Sequence, residues 1–442
     1  MAERALLYGF GVTNQAAANA LLARGYDVVV ADDARSDATQ AAADARRIEL
    51  VVEPDTARLD ALVRASDLVV PSPGLGDIHP VLAIARAAQV PVRSELDLAA
   101  AWDDRPVVAI TGTDGKTTVT TLATAMLEAS GVRAVAVGNT EVPLVAAIDD
   151  PAIDVFVVEA SSFRIDHSEH FAPHAATWLN FGVDHLDRHR SLDAYELAKA
   201  RIWAYQGADD WAVGCADDAV VLRHLEGAPA QHVTFGSRDD ADYHVSDGIL
   251  RTPEGESIIG ASELWRAFPH DVTNALAAVA TARPGGATLG GCRDALLRFR
   301  GLPHRIAFVA EADGVRWFDD SKATTPGAAL AALAAFPSAV LIAGGRNKGL
   351  DLSTLAAGVD HVRAVVAIGE AADDVARAFT NVRPVAVATS MADAVDRAAA
   401  FAEPGDAVLL SPACASFDWY SSYSERGDDF VRRTLERIGA AR

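Results

Sequence analysis

The stretch TGTDGKTT at residues 111–118 has the residue types of a phosphate-binding loop. A strand-like run, PVVAI, precedes it, and a helix-like run that ends near Gly131 follows it. Backbone N–H groups at the start of such a helix point at a bound anion, and glycines let the backbone approach phosphate oxygens closely. Lys116 would add a positive charge, and Thr117 would offer a hydroxyl to Mg²⁺. Since position 110 is Ile rather than the Gly of the common loop, an ordinary βα turn with a surface lysine is the alternative interpretation.

Four more positions downstream have side chains that suit catalysis or metal binding. Glu159 ends the strand-like run DVFVVE, where parallel sheets place ligands, although a solvated strand end is equally compatible. The run DHLDRHR contains His185 and His189 without the ligand spacing of a zinc site. Lys199 follows in a helix-like run, where a solvated lysine is the ordinary expectation.

Length and composition restrict the class of protein. A chain of 442 residues predicts two or three domains. Its net charge of −22 argues against nucleic acid and anionic lipid as partners. No apolar run is long enough for a spanning helix, and the three cysteines are widely spaced. We therefore expect a cytoplasmic protein with no membrane span and no disulfide framework.

Short Val-rich runs alternate with helix-like stretches along most of the chain. The first block has runs of this kind at 5–11, 27–33, 49–53, 67–74 and 90–94, and similar blocks begin near 95 and near 300. Near-continuous apolar strands separated by helices predict parallel sheets covered on both faces. The fold class is α/β, and we expect domains at 1–95, 96–299 and 300–442.

Taken together, these motifs resemble the Mur ligase family. The resemblance rests on TGTDGKTT, EASSF, DHLDRH with the later AKARI, HDVTNALAA, GLPHR, DDSKATTPGA and SPACASFDWYSSYSERGDDF, and it extends from about residue 5 to 430. It implies a Rossmann-like N-terminal domain, a central P-loop domain that binds ATP, and a Rossmann-like C-terminal domain that binds an amino acid. Asp114, Arg164 and Asp271 depart from the Asn, Gln and Asn that are usual in the family.

The resemblance also implies an activity. Members use ATP to join an amino acid to a carboxylate, and the last motif resembles the branch that adds D-glutamate to UDP-N-acetylmuramoyl-L-alanine through an acyl phosphate. This branch acts in peptidoglycan precursor synthesis, with two Mg²⁺ ions and with CO₂ or bicarbonate for lysine carbamylation, and we expect a monomer. A related ligase for another amino acid or for a folate is the close alternative. A nicotinamide-dependent oxidoreductase or a nucleotide-sensing module built on GFGVTN, residues 9–14, is the distant one.

The family's functional residues carry over onto matching positions of this chain. Lys116, His185 and Lys199 would be catalytic, and ATP would contact Gly112, Thr113, Asp114, Gly115, Lys116, Thr117, Thr118, Asn274, Arg305 and Asp320. Mg²⁺ would be held by Thr117, Glu159, His185 and carbamylated Lys199, since a carbamate is the anionic oxygen ligand that this ion prefers. The UDP substrate would contact Val12, Thr13, Asp33, Arg35, Asn139 and Ser161, and the amino acid would contact Lys322, Thr324, Lys348, Ser416 and Phe417.

Overall fold

The chain folds into two compact units. The computed structural model describes residues 2–76, 78–140, 142–184 and 188–439. The first unit comprises Met1–Phe181, Arg188–Ala267 and Asp271–Phe299, and the second comprises Gly182–Asp187, Phe268–His270 and Arg300–Arg442. Within the described ranges, no helix has the length and apolar character needed to cross a membrane.

The N-terminal sheet of the first unit is parallel, with strand order β3-β2-β1-β4. Its elements are β1 Arg4–Tyr8, α1 Val12–Ala23, β2 Asp27–Asp32, α2 Asp37–Arg46, β3 Glu49–Val52, α3 Thr56–Arg64, β4 Leu68–Pro71 and α4 Pro80–Ala88. The strand predicted at 90–94 is wrong, since only Val92 forms a bridge, to Val69. Pro91 has no N–H for a ladder, and the next helix begins three residues after the bridge, at Glu95.

The central sheet of the same unit is also parallel, in the order β10-β9-β8-β5-β7-β6. Its elements are α5 Glu95–Trp102, β5 Val107–Thr111, α6 Lys116–Ala129, β6 Ala134–Gly138, α7 Leu144–Ala147, β7 Val155–Glu159, α8 Ser162–Asp166, β8 Ala175–Trp178, α9 Leu192–Ala200, β9 Trp211–Cys215, α10 Ala219–Leu225 and β10 Gln231–Phe235. An antiparallel sheet follows, and then two helices: β11 His244–Ser246, β12 Ile249–Arg251, β13 Ser257–Gly260, α11 Pro269–Ala282 and α12 Leu289–Arg298. Short 3₁₀ helices span Arg201–Trp203 and Ala261–Glu263.

The C-terminal sheet forms the second unit, in the order β14-β15-β19-β16-β17-β18 with an antiparallel β14 at its edge. Its elements are β14 Ala307–Ala312, β15 Val315–Asp319, α13 Pro326–Leu333, β16 Ala339–Gly344, a 3₁₀ helix Leu352–His361, β17 Val362–Ile368, α14 Ala372–Phe379, β18 Val385–Val387, α15 Met391–Phe401, β19 Ala407–Leu410 and α16 Tyr423–Arg437. Along β16, Val340 and Ile342 pack into one core and Leu341 into the other. Both faces are therefore buried, and the predicted α/β class is confirmed.

Candidate active site

The loop between β5 and α6 requires glycine at both of its glycine positions. Gly115 has a φ of +84°, and a Cβ added there would lie 2.6 Å from Asn274 Oδ1. Gly112 has a φ of +156°, and a Cβ added there would lie 2.9 Å from Leu179 Cβ. Larger residues would therefore strain the backbone and collide with neighbours. Gly115 is the N-cap of α6, so the first helical residues are Lys116 and Thr117, as a phosphate loop requires.

Asn180 holds the outer part of this loop. Its Oδ1 accepts hydrogen bonds from the backbone N–H of Thr113 at 3.0 Å and of Asp114 at 2.9 Å. Its Nδ2 donates to the backbone oxygen of Asp114 at 3.2 Å. The side chain of Asp114 is exposed. Sequence reasoning gave Asn180 no role, although it lies two residues after the end of β8, and the carboxyl end of a parallel strand is a signal that was available.

Two lysines donate to the same loop carbonyl. Lys116 Nζ donates to the backbone oxygens of Gly112 and Thr113, each at 2.8 Å. Lys199 Nζ, delivered by α9, donates to Gly112 O at 2.7 Å and lies 4.6 Å from the centre of the Tyr195 ring. Lys199 is only 1% exposed, so it is not a solvated surface lysine.

Glu159 lies beside the loop because β7 pairs with β5, with Glu159 opposite Ile110. Its Oε1 accepts a hydrogen bond from Asn139 Nδ2 at 3.0 Å. Its Oε2 is buried and has no hydrogen-bond partner among the described residues. A buried carboxylate oxygen of this kind requires a cation or a donor, so the position suits Mg²⁺.

Thr117 and His185 are the two remaining predicted metal ligands. Thr117 is half-buried in the first turn of α6, and the neighbouring Thr118 is buried. His185 lies outside the described residues. Among the residues that are described, no three or more His, Cys, Asp or Glu side chains form a ready metal cluster.

Asn274 and Asp271 lie in α11. Asn274 is half-buried and packs against Gly115, as its distance to the added Cβ shows. Asp271 is buried and forms a two-point ion pair with Arg266, at 2.9 and 3.0 Å. It lies in the first turn of the helix, and its carboxylate is engaged by a guanidinium. The Asp at this family position therefore has a local structural partner.

A cavity of about 310 Å³ opens between the carboxyl ends of β1 and β4 and the start of α8. Four of the residues predicted for the UDP substrate, Val12, Thr13, Asn139 and Ser161, lie in its wall. The other lining residues are Gly11, Ser72, Pro73, Gly74, Leu75, Gly76, Phe163, Arg164, Asp166, His167, Arg188 and His189. The structure thus brings four predicted residues from two sheets to one cavity.

Two residues predicted for the same ligand lie outside the cavity wall. Asp33 Oδ1 accepts a hydrogen bond from Tyr8 OH at 2.6 Å, and Arg35 is exposed. Sequence reasoning also missed the turn after β4, where Arg188 donates to Gly74 O at 2.6 Å. The proline and glycine of the SPG motif after an apolar strand were the available signal.

Arg164 is the charged residue buried in the cavity wall. Its Nη1 pairs with Glu95 Oε1, and its Nη2 donates to Thr13 Oγ1 at 2.9 Å. Glu95 Oε2 accepts a hydrogen bond from the backbone N–H of Val145 at 3.2 Å. Burial raises the pKa of Glu95, and the guanidinium of Arg164 opposes that rise.

The residues predicted for the amino acid lie in three loops of the second unit, which follow the adjacent strands β15, β19 and β16. Backbone bonds join these loops, from Ala413 N to Ala323 O at 2.9 Å and from Arg346 N to Ala415 O at 2.8 Å. Among the predicted residues, Ser416 is buried, Lys322 and Thr324 are half-buried, and Lys348 and Phe417 are exposed. Lys322 Nζ lies 3.9 Å from the centre of the Tyr423 ring. The residues predicted to bind the amino acid therefore all lie beyond the carboxyl ends of adjacent strands of the C-terminal sheet.

Asp320 is buried at the same end of the sheet. Its Oδ2 accepts a hydrogen bond from Ser411 Oγ at 2.7 Å, and its Oδ1 accepts one from Ile306 N at 3.2 Å. Burial raises the pKa of Asp320 to about 7, and the nearby half-buried Arg305 opposes that rise. Sequence reasoning missed Arg426, which is buried and donates to Ser321 Oγ at 2.9 Å and to Cys414 O at 3.1 Å. Its place in the SERGDDF stretch was the available signal.

Comparison with known proteins now decides the family. Residues 110–282 match the Mur ligase middle domain, and residues 304–414 match the Mur ligase, glutamate ligase domain. A UDP-N-acetylmuramoylalanine–D-glutamate ligase of Frankia casuarinae is 43% identical over 98% of this chain and 94% of its own length. The chain belongs to the Mur ligase family. A ligase of the same name from Rubrobacter xylanophilus is 39% identical over 97% of this chain and 98% of its own length.

Solved structures of this family share the fold. A pseudomurein peptide ligase type C from Methanothermus fervidus gives a TM-score of 0.62 at 17% identity, covering 99% of this chain and 100% of that one. MurF from Acinetobacter baumannii gives a TM-score of 0.61 at 19% identity, covering 98% and 91%. The predictions of an ATP-dependent Mur-type ligase and of its fold are confirmed.

Proposed function

We propose that the protein joins D-glutamate to UDP-N-acetylmuramoyl-L-alanine at the expense of ATP, in peptidoglycan precursor synthesis. The observation that carries the proposal is the phosphate loop with Glu159 and Lys199 beside it. The chain also resembles ligases named for this reaction over nearly its whole length. The buried, free cysteines at 215, 292 and 414 agree with action in a reducing cytoplasm, and we propose a monomer.

Activation of the substrate carboxylate is the first chemical task. A carboxylate is a poor acyl donor, and transfer of the γ-phosphoryl group of ATP gives an acyl phosphate with a good leaving group. Backbone N–H groups at the start of α6 would hold the phosphates, and Lys116 would offset the charge that develops on them. Asn274, Arg305 and Asp320 would contact the remainder of the nucleotide.

The metal site would be formed by Glu159, Thr117, His185 and Lys199. The orphaned Oε2 of Glu159 supports this assignment from the structure. Two Mg²⁺ ions, when bound, would neutralise phosphate charge. Lys199 would serve as a carbamate after reaction with CO₂, and its burial beside the loop fits a metal-ligating role. Incubation with ¹³C-labelled bicarbonate should give a carbamate carbonyl signal that is absent from Lys199→Met.

The other substrates would use the remaining residues. The cavity with Thr13, Asn139 and Ser161 would take the UDP-sugar part of the precursor, with Val12 in its wall. Asp33 and Arg35 would contact a more distal part of the nucleotide. In the second unit, Lys322, Thr324, Lys348, Ser416 and Phe417 would bind the amino acid, whose amine attacks the acyl phosphate and displaces phosphate. Lysine side chains suit the two carboxylates of glutamate.

Phosphate release with each glutamate enantiomer tests the proposal. The purified protein is supplied with ATP, Mg²⁺, bicarbonate and UDP-N-acetylmuramoyl-L-alanine, and D- or L-glutamate is added. We expect release that requires both the UDP precursor and D-glutamate. Release with L-glutamate alone would overturn the assigned amino acid, and absence of release with either would overturn the ligase reaction in favour of nucleotide binding without chemistry.

A further inference from the structure

Arg164 connects two other elements of the first unit, and two of the three residues in this connection, Arg164 and Thr13, line the cavity. Arg164 lies in α8, Thr13 lies in the first turn of α1, and Glu95 is the first residue of α5. One guanidinium contacts both partners, through Nη1 to Glu95 and through Nη2 to Thr13. The three side chains are 7%, 8% and 2% exposed for Arg164, Thr13 and Glu95. The connection is therefore a buried, charge-assisted bridge across the wall of the cavity.

Glu95 extends this bridge to a fourth element. Its second oxygen accepts the backbone N–H of Val145 in α7, so both carboxylate oxygens are engaged. The charge of Arg164 is balanced inside the protein by this carboxylate. A guanidinium held in this way is not presented to an anionic ligand as a free charge.

We propose that Arg164 is a positioning residue for the UDP precursor, which acts by fixing Thr13 and the first turn of α1 rather than by pairing with the substrate. The identity of the ligand rests on the proposed function. The family's usual glutamine is neutral and has one amide group, so it lacks the planar fork that reaches two partners at once. In this chain, therefore, the position favours an internal bridge.

Such a bridge would increase affinity by preorganisation. A cavity whose walls are already fixed avoids the cost of ordering them when the ligand binds. Lysine at position 164 keeps the charge beside Glu95, yet it cannot contact Glu95 and Thr13 with the same geometry. Valine at position 13 keeps the shape of threonine and removes the hydroxyl that accepts the bond from Arg164.

A double-mutant cycle tests the proposal on the full chain. Calorimetric titration with UDP-N-acetylmuramoyl-L-alanine, without ATP, gives Kd for the wild type, Arg164→Lys, Thr13→Val and the double variant. We expect Arg164→Lys to weaken binding about tenfold, and Thr13→Val to weaken it at least as much because Thr13 also lines the cavity. The double change should bind no more weakly than Thr13→Val alone, since the bond between Arg164 and Thr13 is already lost there. Binding of a non-hydrolysable ATP analogue should change less than about twofold in all of them.

Other results would overturn the proposal. A direct charge contact predicts that Arg164→Lys binds the UDP precursor as the wild type does, or that the two effects multiply. Arg105→Lys is the matched control, because Arg105 pairs with Asp103 and donates to the backbone oxygen of Ile153 ahead of β7. Arg105 is not among the residues that line the cavity, so the change should leave Kd unchanged. Thermal melting of each variant separates loss of binding from loss of fold.

The binding measurement is independent of turnover. If the wild type binds the UDP precursor and shows the expected cycle but releases no phosphate, the ligase proposal fails and the role of Arg164 stands. If the wild type turns over and the cycle is additive, the role of Arg164 fails and the ligase proposal stands. A wild type that does not bind the UDP precursor overturns both.

Discussion

The proposed phosphate loop of the first unit and the three loops of the second unit that are proposed to bind the amino acid are built differently. At the phosphate loop, the cations Lys116 and Lys199 are held against backbone carbonyls, and Lys199 is buried. At the edge of the C-terminal sheet, backbone bonds hold the loops together, whereas Lys348 and Phe417 are exposed. At the phosphate loop the lysine side chains are already held by hydrogen bonds. In the loops of the second unit only the backbone is held, so the exposed side chains would become ordered when a ligand binds.

This difference has an energetic consequence. Ordering a long exposed side chain on binding costs about 0.5–1.5 kcal/mol, whereas a side chain that is already held has lost that freedom on folding. Changes at the phosphate loop should therefore affect the chemical step strongly. Changes at the exposed residues of the second unit should affect mainly the binding of the amino acid.

The largest expected effect comes from Lys116→Met. The change removes the charge at the phosphates and both bonds to the loop carbonyls, so kcat for phosphate release should fall by at least about 10³-fold. Steady-state phosphate assays measure the loss, and circular dichroism melting verifies the fold. A loss below about tenfold would mean that the lysine is a structural brace of the loop and no more.

Glu159→Gln should have the next largest effect. The amide keeps an oxygen for Asn139 and removes the charge expected to hold Mg²⁺, so activity should fall about 10²-fold and the Mg²⁺ concentration needed should rise. The melting temperature should stay level or increase, because a buried charge is lost. Glu128→Gln, an exposed carboxylate of α6, is the control. An unchanged Mg²⁺ dependence would refute metal binding at Glu159.

Asp320→Asn tests whether a buried acid of the second unit makes stability depend on pH. The folded state keeps Asp320 protonated up to about pH 7, whereas the unfolded chain releases that proton near pH 4. The free energy of unfolding that the protonated carboxyl of Asp320 contributes is therefore fully present below about pH 4 and is lost as the pH rises through 7. Relative to Asp320→Asn, the wild type should lose on the order of 4 kcal/mol of unfolding free energy between these limits. Denaturant unfolding at several pH values measures it, and parallel curves would contradict it.

Lys348→Met should have the smallest effect. Because Lys348 is exposed and its loop is held by backbone bonds, the change should raise KM for D-glutamate about tenfold with KM for ATP unchanged. Phe417→Ala should act in the same direction. If either change lowered kcat as strongly as Lys116→Met, the proposed difference between the two regions would be wrong.

The sequence predicts residues well where strand ends determine their position. The phosphate loop and Glu159 follow adjacent strands of a parallel sheet, so a strand pattern and a motif were sufficient to place them together. Ser416 and Lys348 were assigned only through the resemblance to the Mur ligase family, and the structure places them after β19 and β16 of the C-terminal sheet. The prediction of a strand at 90–94 is wrong for a local reason. The composition of the segment favours a strand, but Pro91 interrupts the hydrogen-bond ladder.

Contacts between distant segments were not predictable in the same way. Glu95 and Arg164 are 69 residues apart, and nothing in their local sequences links them. Arg426 reaches Ser321 across 105 residues. Such pairs depend on how helices pack once the sheets have formed, which periodicity does not specify. Conversely, Asp33 and Arg35 lie near the expected strand end without entering the cavity wall.

The backbone oxygen of Gly112 accepts from both Lys116 and Lys199. A change in the charge of either lysine would therefore alter the hydrogen bonding of this carbonyl. Carbamylation would replace the ammonium of Lys199, a cation with three N–H donors, by an anionic carbamate that keeps one N–H, so the charge presented to this oxygen would change sign. Protein labelled with ¹³C at the glycine carbonyls should show a resonance at Gly112 that moves when CO₂ is withdrawn. The position of that resonance would show whether Lys199 is carbamylated.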